Sequence, residues 1–407
     1  MDTIAELDLL DPASFVGGPP HDYFDHLRRY DPCHELRAPY GDRFWALTRA
    51  ADIRAVSMDT ERFTSSQGFL YPAAVASAIR AAGQDNEHFR GQLVNNLMWH
   101  DGAHHTRLRG FLASAFSPRV VARFEHWIRE ICVRIVQEVQ EKQTFDAIPQ
   151  IAAELPAQVV ASILGVPEED RHLIVSWAND MFGRMDPDIG FERGAAAHQG
   201  VLDYLHKLRE IKLAAPAADM ATELLSAQYQ GDAIALDEYI ESGLMILIAG
   251  FETTHTLIAQ SLLLMATDED ARHQVETGPL KIVVEELLRM ASPVMHMGRT
   301  ARQDVELHGK TIREGDFVMM WYTAGNRDPE VYENPHKFDI SRRRAGHSAF
   351  GAGGPHYCIG SHLAKLEMEI LLEEFRKVNL QLGLNGDWKH AVTVSINAIS
   401  RLPMKVV

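Results

Sequence analysis

The chain is poor in cysteine, in cationic charge and in long apolar runs, and each shortage removes a class of protein. Three cysteines in 407 residues, Cys33, Cys132 and Cys358, share no paired spacing. That leaves neither a disulfide framework nor a tetrahedral zinc set, and it fits a reducing cytoplasm. With 56 acidic against 40 basic residues and a net charge of −16, the chain lacks the basic face that a nucleic-acid partner requires. Its longest apolar candidate, "GLMILIAGF" at 243–251, falls short of the ~18 residues that span a bilayer, so no membrane span is expected. The opening "MDTIAELDLLDPASF" is acidic and carries no basic region or apolar run of a secretion signal. No Gly/Ser linker, internal repeat or low-complexity tract interrupts the chain, so a single domain over 1–407 is expected. No G-x-G-x-x-G unit is present either, so no flavin or nicotinamide site is expected.

What is there is helical periodicity over most of 103–290. It is clearest in "RFEHWIREICVRIVQEVQEK" (123–142), "EYIESGLMILIAGFETTHTLIAQSLLLMAT" (238–267) and "LKIVVEELLRMA" (280–291). Strand-like alternation occurs in "RFWALT" (43–48), "VELHGKTIREGDFVMMWYT" (305–323) and "VTVSINAISRLPMKV" (392–406), with "HGK" and "REGD" as turns. The expected class is mainly α with minor antiparallel β sheets.

The chemistry concentrates in "FGAGGPHYCIG" (350–360), where four glycines and a proline surround one cysteine. A lone cysteine is most often an inert buried thiol. Here, however, the loop runs into "SHLAKLEMEILLEEF", an amphipathic helix whose N-terminus favours a thiolate. Glycines also let backbone lie close to a flat cofactor, and thiolate is a recognised axial ligand of haem iron.

The pattern F-G-x-G-x-x-H-x-C-x-G-x-x-L-A-K resembles the cysteine-ligand loop of the cytochrome P450 family. Phe350, Gly351, Gly353, His356, Cys358, Gly360, Leu363 and Ala364 carry the match. The Phe350-to-Cys358 spacing is one residue longer than the commonest form, and Lys365 replaces the more usual Arg. The longer loop occurs in bacterial members acting on sterol and methyl-branched lipid side chains. The resemblance implies the P450 fold, a triangular single domain with haem b between a long central helix and this loop, and Cys358 as the iron ligand.

Other motifs follow in the family's order. "AGFETT" (249–254) looks like the oxygen-activating segment, with Ala249 and Gly250 against the haem and Glu252 and Thr253 as the catalytic proton relay. Locally, Gly250 weakens the helix and Thr253 can bond back to a carbonyl. "EELLR" pairs Glu286 with Arg289 on one helix face, matching the structural E-x-x-R, and "NRDPEVYENPHKFDISR" (326–342) looks like the meander after it. "HHTRLR" places His105 and Arg109 one turn apart; by resemblance these two, with Arg299 and His356, hold the haem propionates.

The resemblance implies a pocket lined by Phe69, Leu70, Met98, Phe182, Met245, Ile248, Val294, Met295, His296 and Ile396, mostly apolar as ligand sites are. It favours a terpenoid, sterol-like or branched-lipid substrate oxidised with O2 by a cytoplasmic monomer, with electrons from a ferredoxin and its reductase. Arg107, Arg342, Arg343 and Arg344 are the expected docking cations for an acidic ferredoxin on this acidic chain. A peroxide-driven hydroxylase of the same fold is the second enzyme reading, disfavoured by the Glu252–Thr253 pair, and a haem-binding sensor without turnover is the third.

Overall fold

The computed structural model describes residues 5, 7–37, 43–69, 96–182, 190–342 and 346–407, with Phe182 and Phe191 described by backbone alone. Helices dominate, as the periodicity requires. The expected helix at 280–291 forms as Leu280–Ala291, with Val283, Val284, Leu287, Leu288 and Ala291 forming a buried stripe. It stops where Ser292 turns left-handed (φ 41°) ahead of Pro293, since proline disfavours helix in the residue before it.

The central element is the 32-residue helix Leu236–Thr267, which runs unbroken through "AGFETT". Glu238 closes its first turn by accepting the Ala235 N–H at 2.9 Å. By length and composition it could cross a membrane, contrary to what its nine-residue apolar core suggests, but 67% of its most apolar window is buried inside the protein. An apolar helix wrapped by others is a core helix. A Cβ added to Gly243 would come within 2.7 Å of Leu205, and one at Gly250 within 3.0 Å of Val160. These glycines bring helices Gly190–Ala214 and Glu154–Ile163 close against it.

The main sheet joins distant parts of the chain, in the order Cys33–Arg37, Arg43–Leu47, Phe317–Trp321, His296–Ala301, Phe63–Thr64. The pairing of Arg43–Leu47 with Phe317–Trp321 is parallel, where antiparallel pairs alone were expected; the other three pairings are antiparallel. The expected turns form at His308–Gly309 and at Gly315, all with positive φ. A large helical core and two smaller clusters flank this sheet.

Candidate functional site

The cysteine loop is set by backbone. Gly351, Gly353 and Gly354 all have φ between 81° and 98°, a region costly for other residues. A Cβ on Gly354 would also lie 2.5 Å from the Ser57 carbonyl. The Cys358 N–H donates to the Phe350 carbonyl at 2.9 Å, which closes the loop just before helix Ser361–Lys377. Cys358 alone of the three cysteines is exposed; Cys33 and Cys132 are buried, and burial pushes the Cys33 thiol up to about 12. Although Cys358 is exposed, the surrounding protein still raises its pKa, opposed by the Gly360 N–H and the charges of Arg109 and Lys365. Lys365 lies 5.2 Å over the Phe350 ring and pairs with Glu285 at 2.6 Å.

The four expected propionate partners come together. The rings of His105 and His356 lie 4.3 Å apart, and Arg109 donates to the Tyr357 carbonyl beside Cys358 at 2.7 Å. Burial holds His105 near 4, with His356, Arg109 and Arg299 adding like-charge repulsion. Arg299, 4% exposed, donates to the Gly298 carbonyl at 2.7 Å. His105 Nε2 is buried without a hydrogen bond. Two guanidinium and two imidazole groups thus gather in one site, where His356 alone of the four touches the Asp101 carboxylate. Such a donor-rich cluster beside an exposed thiol fits the two propionates and the iron of haem.

Asp101 was not foreseen. It precedes helix Gly102–Ala115, where an acid reads as a cap. Instead its carboxylate accepts from Thr64 Oγ1 (2.5 Å) and the Ser65 N–H (2.7 Å) and lies 3.1 Å from His356 Nε2. Burial works against its charge, but these partners hold its pKa well below the usual carboxylate range.

Opposite faces of the central helix differ. Met245, Ile248, Glu252 and Thr253 are partly buried and Ala249 is exposed, which makes their side more open than that of the buried Leu244, Ile246, Leu247 and Phe251. Thr253 Oγ1 donates to the Ala249 carbonyl at 2.7 Å. Of the expected pocket residues, Val294 and Ile396 meet in an antiparallel bridge. Phe69 packs edge-on to Trp99 at 5.9 Å, next to the partly buried Met98. Leu70 lies outside the described residues, and Phe182 ends helix Arg171–Phe182. Met295 and His296 are corrections. Met295 is 1% exposed and packs with Phe24 and Phe44, and His296 is 2% exposed against the Trp321 ring at 4.6 Å. Both belong to the N-terminal core and not to the open face.

Two docking assignments also change. Arg342 is structural: it donates to Glu286 Oε1 at 2.9 Å and to the carbonyls of Glu333 and Lys337. Glu286 meanwhile binds Arg289 through both oxygens, at 2.9 and 2.7 Å. Arg107 pairs with Glu238 and lies over the Phe111 ring at 4.9 Å, so its charge is matched within the protein. Arg343 and Arg344 lie outside the described residues.

The family model for cytochrome P450 matches residues 279–376. The chain is similar to the steroid C26-monooxygenase of Mycolicibacterium smegmatis, 32% identical over 373 residues covering 90% of this chain and 86% of that one. It is also similar to the linalool 8-monooxygenase of Pseudomonas putida, 30% identical over 375 residues and 90% of each chain. Among solved structures, the Mycobacterium marinum cytochrome P450 CYP268A2 in complex with pseudoionone matches with a TM-score of 0.84. That match has 27% identity over 100% of this chain and 99% of that one.

Proposed function

This chain belongs to the cytochrome P450 family, the haem-thiolate monooxygenases, and from that premise we propose that Cys358 holds the haem iron while Glu252 and Thr253 relay protons to the oxygen side. One observation carries the assignment. The exposed Cys358 thiol shares a site with His105, Arg109, Arg299 and His356, drawn from separate stretches of the chain. Thiolate-bound haem supplies the oxygen activation, in which one atom of O2 enters a substrate C–H bond and the other leaves as water, consuming two electrons and two protons.

The chain's own groups do the rest. Arg109, Arg299, His105 and His356 bind the propionates, and Asp101 fixes the His356 ring. Thr253 keeps its hydroxyl proton on the Ala249 carbonyl, and Glu252, the neighbouring acid, replenishes it. Met245, Ile248, Val294 and Ile396 give the substrate an apolar wall. Similarity to steroid and linalool monooxygenases favours hydroxylation of a sterol, terpenoid or branched lipid. The absence of a flavin or nicotinamide motif favours electron supply by a separate reductase and ferredoxin, with the cytoplasm as the working compartment. Pairing of strands from 33–64 with strands from 296–321 in one sheet favours a single domain.

The test is reconstitution with NADH, ferredoxin reductase and ferredoxin. Substrate-dependent NADH oxidation with matching hydroxylated product is expected. Turnover by the purified chain with NADH alone would overturn the separate donors, and product formation from peroxide only would favour the peroxide-driven reading.

A further inference from the structure

Asn397, 6% exposed, directly follows Ile396, and all of its polar groups are engaged. Its backbone N–H donates to the Pro293 carbonyl at 2.9 Å, and its Nδ2 donates to the Ala291 carbonyl at 2.7 Å. Ala291 ends helix Leu280–Ala291, where carbonyls have no partner within the helix. The Asn397 carbonyl accepts from Gln260 Nε2 at 2.7 Å, and Asn397 Oδ1 accepts from the same nitrogen at 3.0 Å. Only one orientation of the Asn397 amide serves this network, since the reverse would set Nδ2 against the Gln260 donor. Gln260 lies on the central helix, 7 residues after Thr253 and 11 after Ala249. At 3.6 residues per turn it projects within about 20° of both, about 10 Å beyond Thr253 along the axis. The helix face that carries the oxygen-side residues thus also grips Asn397.

Resting on the reading of Val294 and Ile396 as part of the substrate's apolar wall, we propose that Gln260 and Asn397 are positioning residues. They clasp the C-terminal hairpin to the helix that bears Thr253, and so decide which substrate carbon is oxidised. The hairpin strands Lys389–His390 and Ile399–Arg401 are short and pair with a register shift, and a two-stranded hairpin is marginal by itself. The position of its tip is therefore set by what holds it from outside. One side is held by the Val294–Ile396 bridge and by the Met295 N–H donating to the Ser395 carbonyl at 2.8 Å. The other side is held by Gln260. Val294 and Ile396 are both only partly buried, so the clasp fixes a wall that still has surface to offer a ligand. An apolar substrate has few polar anchors, and a misplacement of about 1 Å costs on the order of 10²-fold at the reacting centre. With the clasp closed, Ile396 and Thr253 keep one separation and one carbon is presented. With it open, the tip takes more than one position and neighbouring carbons compete.

The experiment compares the wild-type holoenzyme with two variants. Gln260→Met keeps the length of the side chain and removes its donors. Ser261→Ala removes a neighbouring buried bond, to the Leu257 carbonyl at 2.7 Å, and leaves the clasp intact. Amide hydrogen exchange of the holoenzyme should speed up over 391–398 in Gln260→Met alone, because exchange reports local opening. With cholesterol and linalool as probes, the ratio of major to minor hydroxylated product should fall about fivefold in Gln260→Met, the scale of one net hydrogen bond. In Ser261→Ala that ratio should stay at the wild-type value, although stability falls. Unchanged exchange over 391–398 in Gln260→Met would overturn the clasp. Faster exchange with an unchanged product ratio would overturn its role in selection and leave the hydroxylase reading standing. If wild type oxidises neither probe, the substrate class fails and this inference falls with it.

Discussion

Glu286→Gln keeps the shape of the side chain and removes its charge. Glu286 is 6% and Arg289 1% exposed, and Arg342 shares the same carboxylate with only 11% of its side chain exposed. Glu286 also accepts the Asp339 N–H at 3.1 Å, so one acid ties helix Leu280–Ala291 to the segment entering the cysteine loop. Its loss leaves two enclosed guanidinium groups without a counter-charge. Breaking a buried pair costs about 3–5 kcal/mol, and the usual unfolding entropy scaled to this chain converts that to a fall in Tm of about 4–6 °C. Thermal unfolding of the holoenzyme followed by circular dichroism measures it. Because the two arginines share one partner, adding Arg342→Met to Glu286→Gln should cost less than the sum of the separate losses. A Tm within 1 °C of wild type (roughly 1 kcal/mol by the same scaling), or strict additivity, would refute the shared-carboxylate account.

Further perturbations separate the other roles. Thr253→Ala should keep NADH consumption but divert electrons to peroxide, since a placed general acid contributes ~10²–10⁴-fold; unchanged product per NADH would remove Thr253 from the relay. Asp101 has a depressed folded pKa, so its stabilisation is present above the unfolded value of about 3.9 and is lost as pH falls through the folded one. Asp101→Asn should therefore lower Tm at pH 7, with the gap closing only in strong acid; a gap that persists there would show that charge is not the cause. Arg343→Glu with Arg344→Glu should raise the ferredoxin concentration for half-maximal rate and flatten its salt dependence, and equal performance across a salt series would place docking elsewhere. Arg342→Glu should instead lower Tm, because its side chain binds Glu286.

What could be read from the sequence was local. Helix Leu280–Ala291 and the cysteine loop follow from periodicity, Pro293 and glycines placed where positive φ is needed. What could not be read depends on partners far along the chain. Asp101 has the position of a helix cap, but its partners are Thr64, Ser65 and His356, and Arg342 reads as part of a basic run until it meets Glu286. Met295 and His296 follow a residue that bridges to Ile396, whereas His296 itself registers with Trp321. The strand changes partners between them, and such a shift decides which face each side chain takes. The central helix exceeds its apolar core because Glu238, Glu241 and Glu252 are accommodated within it, which hydropathy alone does not anticipate.

The most direct test of thiolate ligation by Cys358 is the absorption spectrum of the ferrous–CO complex, compared between wild type and Cys358→Ala. Wild type should show the strongly red-shifted Soret band of a thiolate-ligated haem. The variant should lose that band while circular dichroism still reports a helical protein, because Cys33 and Cys132 are buried and cannot take over as ligand. A thiolate band that survives the substitution would contradict the assignment of the site.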